Sequence, residues 1–146
     1  MFRDIIIKSF DNLPDDSRDI REAVFVQEQG FNEEFDTVDL SAYHFVAYDE
    51  KGNPLGTCRI FTESDPEVYY LGRLAVIKDA RAKGVGRHLI KCAEQKAIEM
   101  GAFEIQLHSQ CRARTFYEKC GYIAYGEIEF DEGCPHIWMK KALKND

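Results

Sequence analysis

The sequence lacks the features that mark membrane-spanning, disulfide-rich or zinc-binding proteins. No apolar run approaches the length that crosses a bilayer, and no basic segment leading into an apolar stretch suggests a signal peptide. The five cysteines are scattered without a C-x-x-C pair, which argues against a disulfide framework and against a zinc site. We therefore expect no membrane association and no metal, in the reducing environment of the cytoplasm.

Positive charge is also scarce, since 19 Lys and Arg face 26 Asp and Glu for a net charge of −7. This balance works against nonspecific nucleic-acid binding, so we expect no nucleic-acid partner. The length of 146 residues and the hydrophobic fraction of 45% predict a single domain over residues 1–146 with one core. Three of the 19 basic residues lie close together in one loop, Arg81–Arg87.

Hydrophobic periodicity and turn residues divide the chain into seven strands and three helices. The predicted elements are a strand at 2–8, a helix from Asp15 or Ser17 to Gln29, strands at 43–48, 55–61 and 68–76, a helix at 85–100, a strand at 103–108, a helix at 112–119, and strands at 122–130 and 136–141. An acidic connector, Glu33–Asp39, follows the first helix, and the strand at 68–76 is apolar enough to be buried on both faces. This mixed order predicts an α/β (α+β) domain with a largely antiparallel sheet.

The most informative segment joins the strand at 68–76 to the helix that follows it. Gly84 and Gly86 open a strongly amphipathic helix, whose first backbone N–H groups have no internal partner and form its positive end. Glycine lets a ligand approach the backbone closely, so a phosphate or diphosphate fits there. Three basic residues add charge to the same place: Arg81, Lys83 and Arg87.

Three other interpretations of this loop were weighed. A P-loop needs Gly-Lys-Ser/Thr, whereas Gly86 is followed by Arg87-His88. A dinucleotide fingerprint needs a third glycine, where this chain has Leu89. A structural turn with solvated basic residues remains open on glycine spacing alone.

The segment Arg81-Ala82-Lys83-Gly84-Val85-Gly86 fits the pattern Arg/Gln-x-x-Gly-x-Gly/Ala, and here the chain resembles the GNAT N-acetyltransferase superfamily. The resemblance implies the GNAT fold, a mixed and mostly antiparallel twisted sheet of about seven strands, flanked by helices and splayed between strands 4 and 5. It also implies acetyl-CoA as cosubstrate, with the diphosphate on the loop and the pantetheine arm along strand 4. The cofactor-binding residues that it implies are Leu74, Ala75, Val76, Arg81, Ala82, Lys83, Gly84, Val85, Gly86 and Arg87.

A second motif, Gln110–Tyr122, resembles the family's Asn-x-x-Ala-x-x-Phe-Tyr-Glu-Lys-x-Gly-Phe helix. It departs from that pattern at Gln110, which replaces Asn and would contact the pantetheine arm, and at Tyr122, which replaces Phe. The thiolate leaving group of acyl transfer needs a proton, and the phenol of Tyr117 can supply one as general acid. A core tyrosine beside Phe116 is the structural alternative.

The acceptor amine must be uncharged when it attacks, so a general base or a pocket that lowers its pKa is needed. His136 opens the last strand, and histidine titrates near neutral pH. Some small GNAT enzymes acting on amino-acid-like compounds show a similar Pro-His-hydrophobic-x-Met ending with the histidine as base. Strand alternation places His136 and Trp138 on one face, opposite Ile137 and Met139. Water as the base, and a purely structural histidine, remain open.

Three arginines form a candidate substrate-binding set for a carboxylate or phosphate on the acceptor: Arg21, Arg73 and Arg112. The alternative is internal pairing with Glu28, Glu34 or Asp36. His44, His88 and His108 are too dispersed to propose as metal ligands, and Cys111 and Cys120 lack an evident base for an acyl-cysteine route.

The predicted function is transfer of an acetyl group from acetyl-CoA to the primary amine of a small molecule, by direct attack in a ternary complex. The resemblance leaves the chain either monomeric or homodimeric. One alternative is a noncatalytic acyl-CoA-binding or sensor module. Another is an acyl-homoserine-lactone-synthase-like acyltransferase, because the stretch Arg21–Gly30 resembles the start of those longer proteins.

Overall fold

The computed structural model describes residues 4–31 and 35–143. Within them the chain forms β1 (Ile6–Phe10), α1 (Asp15–Arg21), β2 (Tyr43–Tyr48), β3 (Pro54–Thr62), β4 (Val68–Val76), α2 (Val85–Glu99), β5 (Glu104–Gln110), α3 (Arg114–Lys119), β6 (Ile123–Asp131) and β7 (Cys134–Ala142). Short 3₁₀ turns lie at Thr37–Leu40, Lys78–Ala80 and Cys111–Ala113. The predicted order of seven strands and three helices is confirmed. Part of the predicted first strand, and Glu33 and Glu34 of the acidic connector, lie outside the described residues.

The strands form one mixed sheet in the order β1-β2-β3-β4-β5-β7-β6. All neighbours are antiparallel except β4 and β5. The parallel pairing joins Val68–Leu71 to Glu104–Leu107 and ends there, although both strands continue. This confirms the predicted fold and its splay between strands 4 and 5.

A β-bulge bends β4 at the point where it leaves β5. In the register with β3, Thr57 faces Ala75 and Arg59 faces Gly72, so that one residue of β3 lies opposite two of β4. One of these two, Arg73, adopts a left-handed backbone with φ of 52°. Such a bulge turns a strand locally and re-aims its side chains. The expectation that β4 is buried on both faces was wrong. Val68 and Tyr70 are only half-buried, as are most residues beyond Leu71, which lie beside a cavity.

The two faces of the sheet carry different helices. The main core joins α2 and α3 to one face, with Leu89 and Ala93 of α2 fully buried against Phe45 and Ile60 of the sheet. On the other face α1 and the π-helical segment that follows it, Glu22–Glu28, bury Ile20, Val24 and Phe25 against Val46 and Ala75. Because side chains alternate along a strand, neighbours such as Phe45 and Val46 serve opposite faces.

The first helix begins and ends differently from the prediction. Its N-cap is Pro14 rather than Asp15 or Ser17, and Ser17 is instead buried, with its hydroxyl 2.8 Å from that of Thr57. Beyond Arg21 the helix widens into a π-helical segment, Glu22–Glu28. Widened turns of this kind are frequent at functional sites, and this one carries its end to the same cavity.

Candidate active site

A cavity of about 790 Å³ opens where β4 and β5 separate. Its walls come from the end of the π-helical segment, the second half of β4, the loop before α2, the end of β5, α3 and the start of β7. This volume lies within the range that holds small ligands and cofactors. The splay of the sheet therefore creates a site between its two faces.

The loop at one end of the cavity presents backbone N–H groups. Gly84 is the N-cap of α2 with φ of 85°, Ala82 has φ of 62°, and no described side chain caps the helix. A Cβ on Gly86 would lie 3.1 Å from the Phe116 ring, so glycine allows α3 to approach the helix end closely. The result is a positive helix terminus open to an anion.

Most of the predicted cofactor residues line this cavity: Leu74, Val76, Arg81, Ala82, Gly84, Val85, Gly86, Arg87 and Gln110. Two of the predicted residues do not. Ala75 packs into the α1 core instead, and the Lys83 ammonium donates to the carbonyl of Asp79 at 3.0 Å. Strand alternation explains Ala75, because it lies between the two β4 residues that face the gap.

Arg81 ties the loop to the first helix. Its guanidinium donates two hydrogen bonds of 2.6 Å to the Glu28 carboxylate, and its Nε donates to the carbonyl of Val76 at 2.9 Å. The hydrogen bonds from Arg81 hold the pKa of Glu28 below its usual range. The π-helical segment, the loop and the end of β4 thus meet at one guanidinium.

The end of β4 also turns backbone groups toward the gap. The N–H of Ile77 donates to the carbonyl of Leu55 on the β3 side. Because successive peptide groups of a strand point in opposite directions, the N–H of Val76 faces away from β3 and into the splay.

Tyr117 lies on the cavity wall at α3 and is 8% exposed. Its ring stands edge-on to those of Phe116 and Tyr122, with centroids 5.2 Å and 6.1 Å away. Burial raises the pKa of Tyr117, so the phenol keeps its proton through the neutral range. A phenol in this state can act as a proton donor.

A buried polar network supports Tyr117 from behind. Tyr122 donates to the Glu94 carboxylate at 2.7 Å, and the Lys141 ammonium reaches both oxygens of that carboxylate at 3.0 and 3.1 Å. Lys141 also donates to the carbonyl of Cys120 at 2.9 Å. The end of α3 is thereby fixed to α2 and β7.

His136, near the start of β7, also lines the cavity and is 7% exposed. Its Nδ1 is 2.8 Å from the carbonyl of Cys134, which favours a proton on Nδ1 and leaves Nε2 as an acceptor. The imidazole of His108 lies beside it, with ring centroids 4.9 Å apart. The structure therefore offers a proton acceptor in the same cavity as Tyr117.

The sequence did not indicate that His108 joins this site. Its Nε2 is 3.3 Å from the Glu129 carboxylate, and burial, followed by the effect of His136, lowers its pKa. The pairing of Gln110 with His136 across β5 and β7 brings the two histidines together. That register joins strands that are distant in the chain. The sequence offers only one related signal, the alternation of side chains along β5, which places His108 and Gln110 on the same face.

The structure brings two of the three candidate arginines to the cavity. Arg73 and Arg112 line it, while Arg21 is 1% exposed and pairs with Asp39 through bonds of 2.9 and 3.0 Å. Arg112 donates to the amide oxygen of Gln110 at 2.7 Å. Arg73 donates to Asp36 at 3.2 Å, one of the internal pairings weighed from the sequence, while the candidate partner Glu34 lies outside the described residues.

The buried position of Arg21 belongs to a charge cluster on the α1 face. Arg59 bonds to both Asp36 and Asp39, with distances from 2.6 to 3.0 Å. Although burial opposes it, hydrogen bonds from Arg21 and Arg59 hold the pKa of Asp39 far below its usual range. This cluster fixes the turn at Thr37–Leu40 to the sheet.

Comparison with known proteins decides the family. Residues 14–143 match the model of the acetyltransferase (GNAT) domain, which spans most of the chain. The protein belongs to the GNAT acetyltransferase family. It is therefore an N-acyltransferase, as the two sequence motifs predict.

Individual relatives and solved structures similar to this GNAT protein are also described as N-acetyltransferases or N-acyltransferases. It is 36% identical over 140 residues to the uncharacterised N-acetyltransferase YjcF of Bacillus subtilis, a match covering 94% of this chain and 97% of YjcF. A candidate N-acetyltransferase from Lactobacillus plantarum has a solved structure with a TM-score of 0.87 and 30% identity, covering 96% and 99% of the two chains. An acyl-CoA N-acyltransferase from Pseudomonas aeruginosa has a TM-score of 0.78 at 26% identity, covering 95% and 99%.

Among residues 4–31 and 35–143, no helix is both long and apolar enough to span a bilayer. In the same part of the chain, His, Cys, Asp and Glu side chains form no group of three or more that could hold a metal ion.

Proposed function

We propose that this GNAT protein transfers an acetyl group from acetyl-CoA to the primary amine of a small molecule, by direct attack in a ternary complex. The observation that carries the proposal is a single cavity whose walls include the open N-terminus of α2, Tyr117 and His136. A cosubstrate bound at one end can then meet an acceptor bound at the other. The name of the Pseudomonas aeruginosa relative, an acyl-CoA N-acyltransferase, supports acyl-CoA as the donor.

The coenzyme is held mainly by backbone groups. The N–H groups of the first turn of α2 receive the diphosphate, and the basic side chains Arg81 and Arg87 add positive charge at the same end of the cavity. The pantetheine arm follows the unpaired side of β4 at Leu74 and Val76, with the Gln110 amide beside it.

The chemistry needs one polarising group, one base and one acid. The ammonium form of the acceptor first loses one proton to Nε2 of His136 or to water. The neutral amine then attacks the thioester carbon, whose carbonyl is polarised by the Val76 N–H. The tetrahedral intermediate then releases the coenzyme thiolate, which takes a proton from Tyr117. The acetyl group has moved from sulfur to nitrogen. The second amine proton replaces, through solvent, the one that Tyr117 gave up, and the base releases its proton to solvent.

Arg73 and Arg112 line the acceptor end together with His108 and His136. The two arginines could bind an anionic group on a small amine acceptor. We exclude Arg21 from this role, because Asp39 engages its guanidinium beneath the α1 face. The free cysteines suit a reducing cytoplasm, where we place this activity.

The test is a panel of amino acids, aminosugars and polyamines assayed with acetyl-CoA by detection of free thiol. Saturable, amine-dependent thiol release is the expected result. Binding of acetyl-CoA without thiol release from any amine would instead favour a noncatalytic acyl-CoA-binding module. Absence of acetyl-CoA binding would overturn the proposal.

A further inference from the structure

A continuous row of rings crosses the sheet beside the cavity. The His136 and His108 rings are tilted by 32° with centroids 4.9 Å apart, and His108 stacks on Trp138 at 4.7 Å and 23°. Tyr70 meets Trp138 edge-on at 6.2 Å, and Phe61 stacks on Tyr70 at 5.6 Å. We call these five residues the aromatic strip. It joins four strands, β7, β5, β4 and β3.

The aromatic strip begins inside the cavity and continues outside it. His136 and His108 are cavity-lining residues, whereas Trp138, Tyr70 and Phe61 lie beyond the lining. Only His136 is buried, and the other four rings are half-buried. In an interior core these rings would be covered, so their partial exposure next to the candidate base marks them as a contact surface for an extended ligand.

Negative charge surrounds the aromatic strip. Glu129 and Asp131 act on His108, and burial followed by Glu63, Glu104 and Asp65 raises the pKa of Tyr70. The guanidinium over the Phe61 ring, that of Arg59, is already bonded to Asp36 and Asp39. The surface thus favours an approaching ammonium ion, and its rings favour an aromatic group.

We infer that the acceptor is an aromatic primary amine, whose nitrogen lies at His136 and whose ring packs on Trp138 and Tyr70. This inference rests on the proposed function and names its substrate class. The amine enters as a cation along the acidic edge and loses a proton at the histidine end before it attacks. The ring gains edge-to-face or stacked contacts that an aliphatic group of the same size lacks.

The first test compares phenethylamine with its saturated analogue cyclohexylethylamine, which has the same carbon skeleton and the same amine. We expect kcat/KM to be about tenfold higher for the aromatic amine, the upper range for one aromatic pair. Equal values for both amines, measured by free-thiol release, would overturn the inference while the proposed transferase activity stood.

A substitution ties this preference to the aromatic strip. Trp138→Leu should reduce the preference for phenethylamine to about twofold or less, because the ring partner is lost. Phe103→Leu is the matched control, since Phe103 precedes β5, is 50% exposed and lies outside the aromatic strip, so this variant should keep the wild-type preference. A preference that survives in Trp138→Leu contradicts the inference. Tyr70→Leu gives a second variant should Trp138→Leu fail to fold.

Binding can be measured without turnover, because Trp138 is the only tryptophan in the chain. With coenzyme A bound in place of acetyl-CoA, no acetyl group is available. We expect phenethylamine to change the Trp138 fluorescence saturably, and cyclohexylethylamine to need about tenfold higher concentration. Selective binding with no turnover of any amine would support the aromatic site and defeat the proposed transferase. Equal or absent responses to both amines would defeat the inference.

Discussion

The two ends of the cavity are built in different ways. The cofactor end consists of the Arg81–Arg87 loop and the adjacent backbone of β4, all within one short stretch of chain. The acceptor end consists of side chains from the π-helical segment, β4, β5 and β7, including Arg73, His108 and His136. Backbone groups at the first end are insensitive to most substitutions, whereas each side chain at the second can change without altering the fold. A family can therefore keep its donor and vary its acceptor.

The largest effect is expected where a side chain is forced into the backbone site. Gly86→Asp places a carboxylate at the N-terminus of α2, where we propose that the coenzyme diphosphate binds. One like-charge pair at about 4 Å and an effective dielectric of about 20 costs roughly 4 kcal/mol, so the Kd of acetyl-CoA should rise about a thousandfold. Isothermal titration calorimetry with acetyl-CoA measures this Kd in the variant and in the wild type.

The matched control for Gly86→Asp adds the same charge elsewhere on that helix. Gln95→Asp, at an exposed position several turns away, should leave the Kd within about twofold of wild type. A similar loss of affinity in both variants would show that net charge, and not the helix terminus, controls coenzyme binding. Melting temperatures confirm that both variants fold.

At the middle of the cavity, Tyr117→Phe removes only a hydroxyl. We expect kcat to fall about 100- to 1,000-fold, the range of general acid catalysis, with the Kd of acetyl-CoA nearly unchanged. Because the pKa of Tyr117 is raised above its ordinary value of 10.0, the wild-type rate should not decline with rising pH below that value. Unchanged turnover in the variant would remove Tyr117 from the mechanism.

At the acceptor end, His136→Gln keeps a polar side chain but removes the base. We expect kcat/KM to fall about 100-fold at neutral pH and to approach wild type at high pH, where the amine itself is deprotonated. The acidic limb of the pH–rate profile should therefore move to higher pH in the variant. An identical profile in both proteins would assign the base role to water.

The contrast between features built from one stretch of chain and features built from distant segments also explains which parts of the fold the sequence predicts. Periodicity and turn residues were sufficient for the order of elements, because these signals are local. The observed element boundaries differ from the predicted ones where pairing with a distant strand determines them. At the end of β5, pairing with β7 extends the strand to Gln110. The half-buried surface of β4 beyond Leu71 could not be foreseen either, because it depends on the cavity and not on composition.

In the candidate site, too, contiguous features could be predicted from the sequence and contacts between distant segments could not. The candidate cofactor loop could be located from the sequence because its glycines and charges are contiguous. Ala75 does not line the cavity because strand alternation turns it to the other side. The sequence predicts a substrate-binding role for Arg21 because it does not show which carboxylate an arginine pairs with. The partner of Arg21, Asp39, is 18 residues away. His108 was missed because its neighbour comes from β7.

The smallest expected effect separates the two candidate features of the acceptor end, the arginines and the aromatic strip. Arg112→Gln should raise the KM of phenylalanine about two- to fivefold, as for a partly exposed ion pair, and leave that of phenethylamine unchanged. Arg114→Gln, which removes an exposed charge paired with Glu118, is the matched control and should alter neither. Equal changes for both amines would mean that Arg112 acts through Gln110 and not on a carboxylate. In that case the rings alone would select the acceptor.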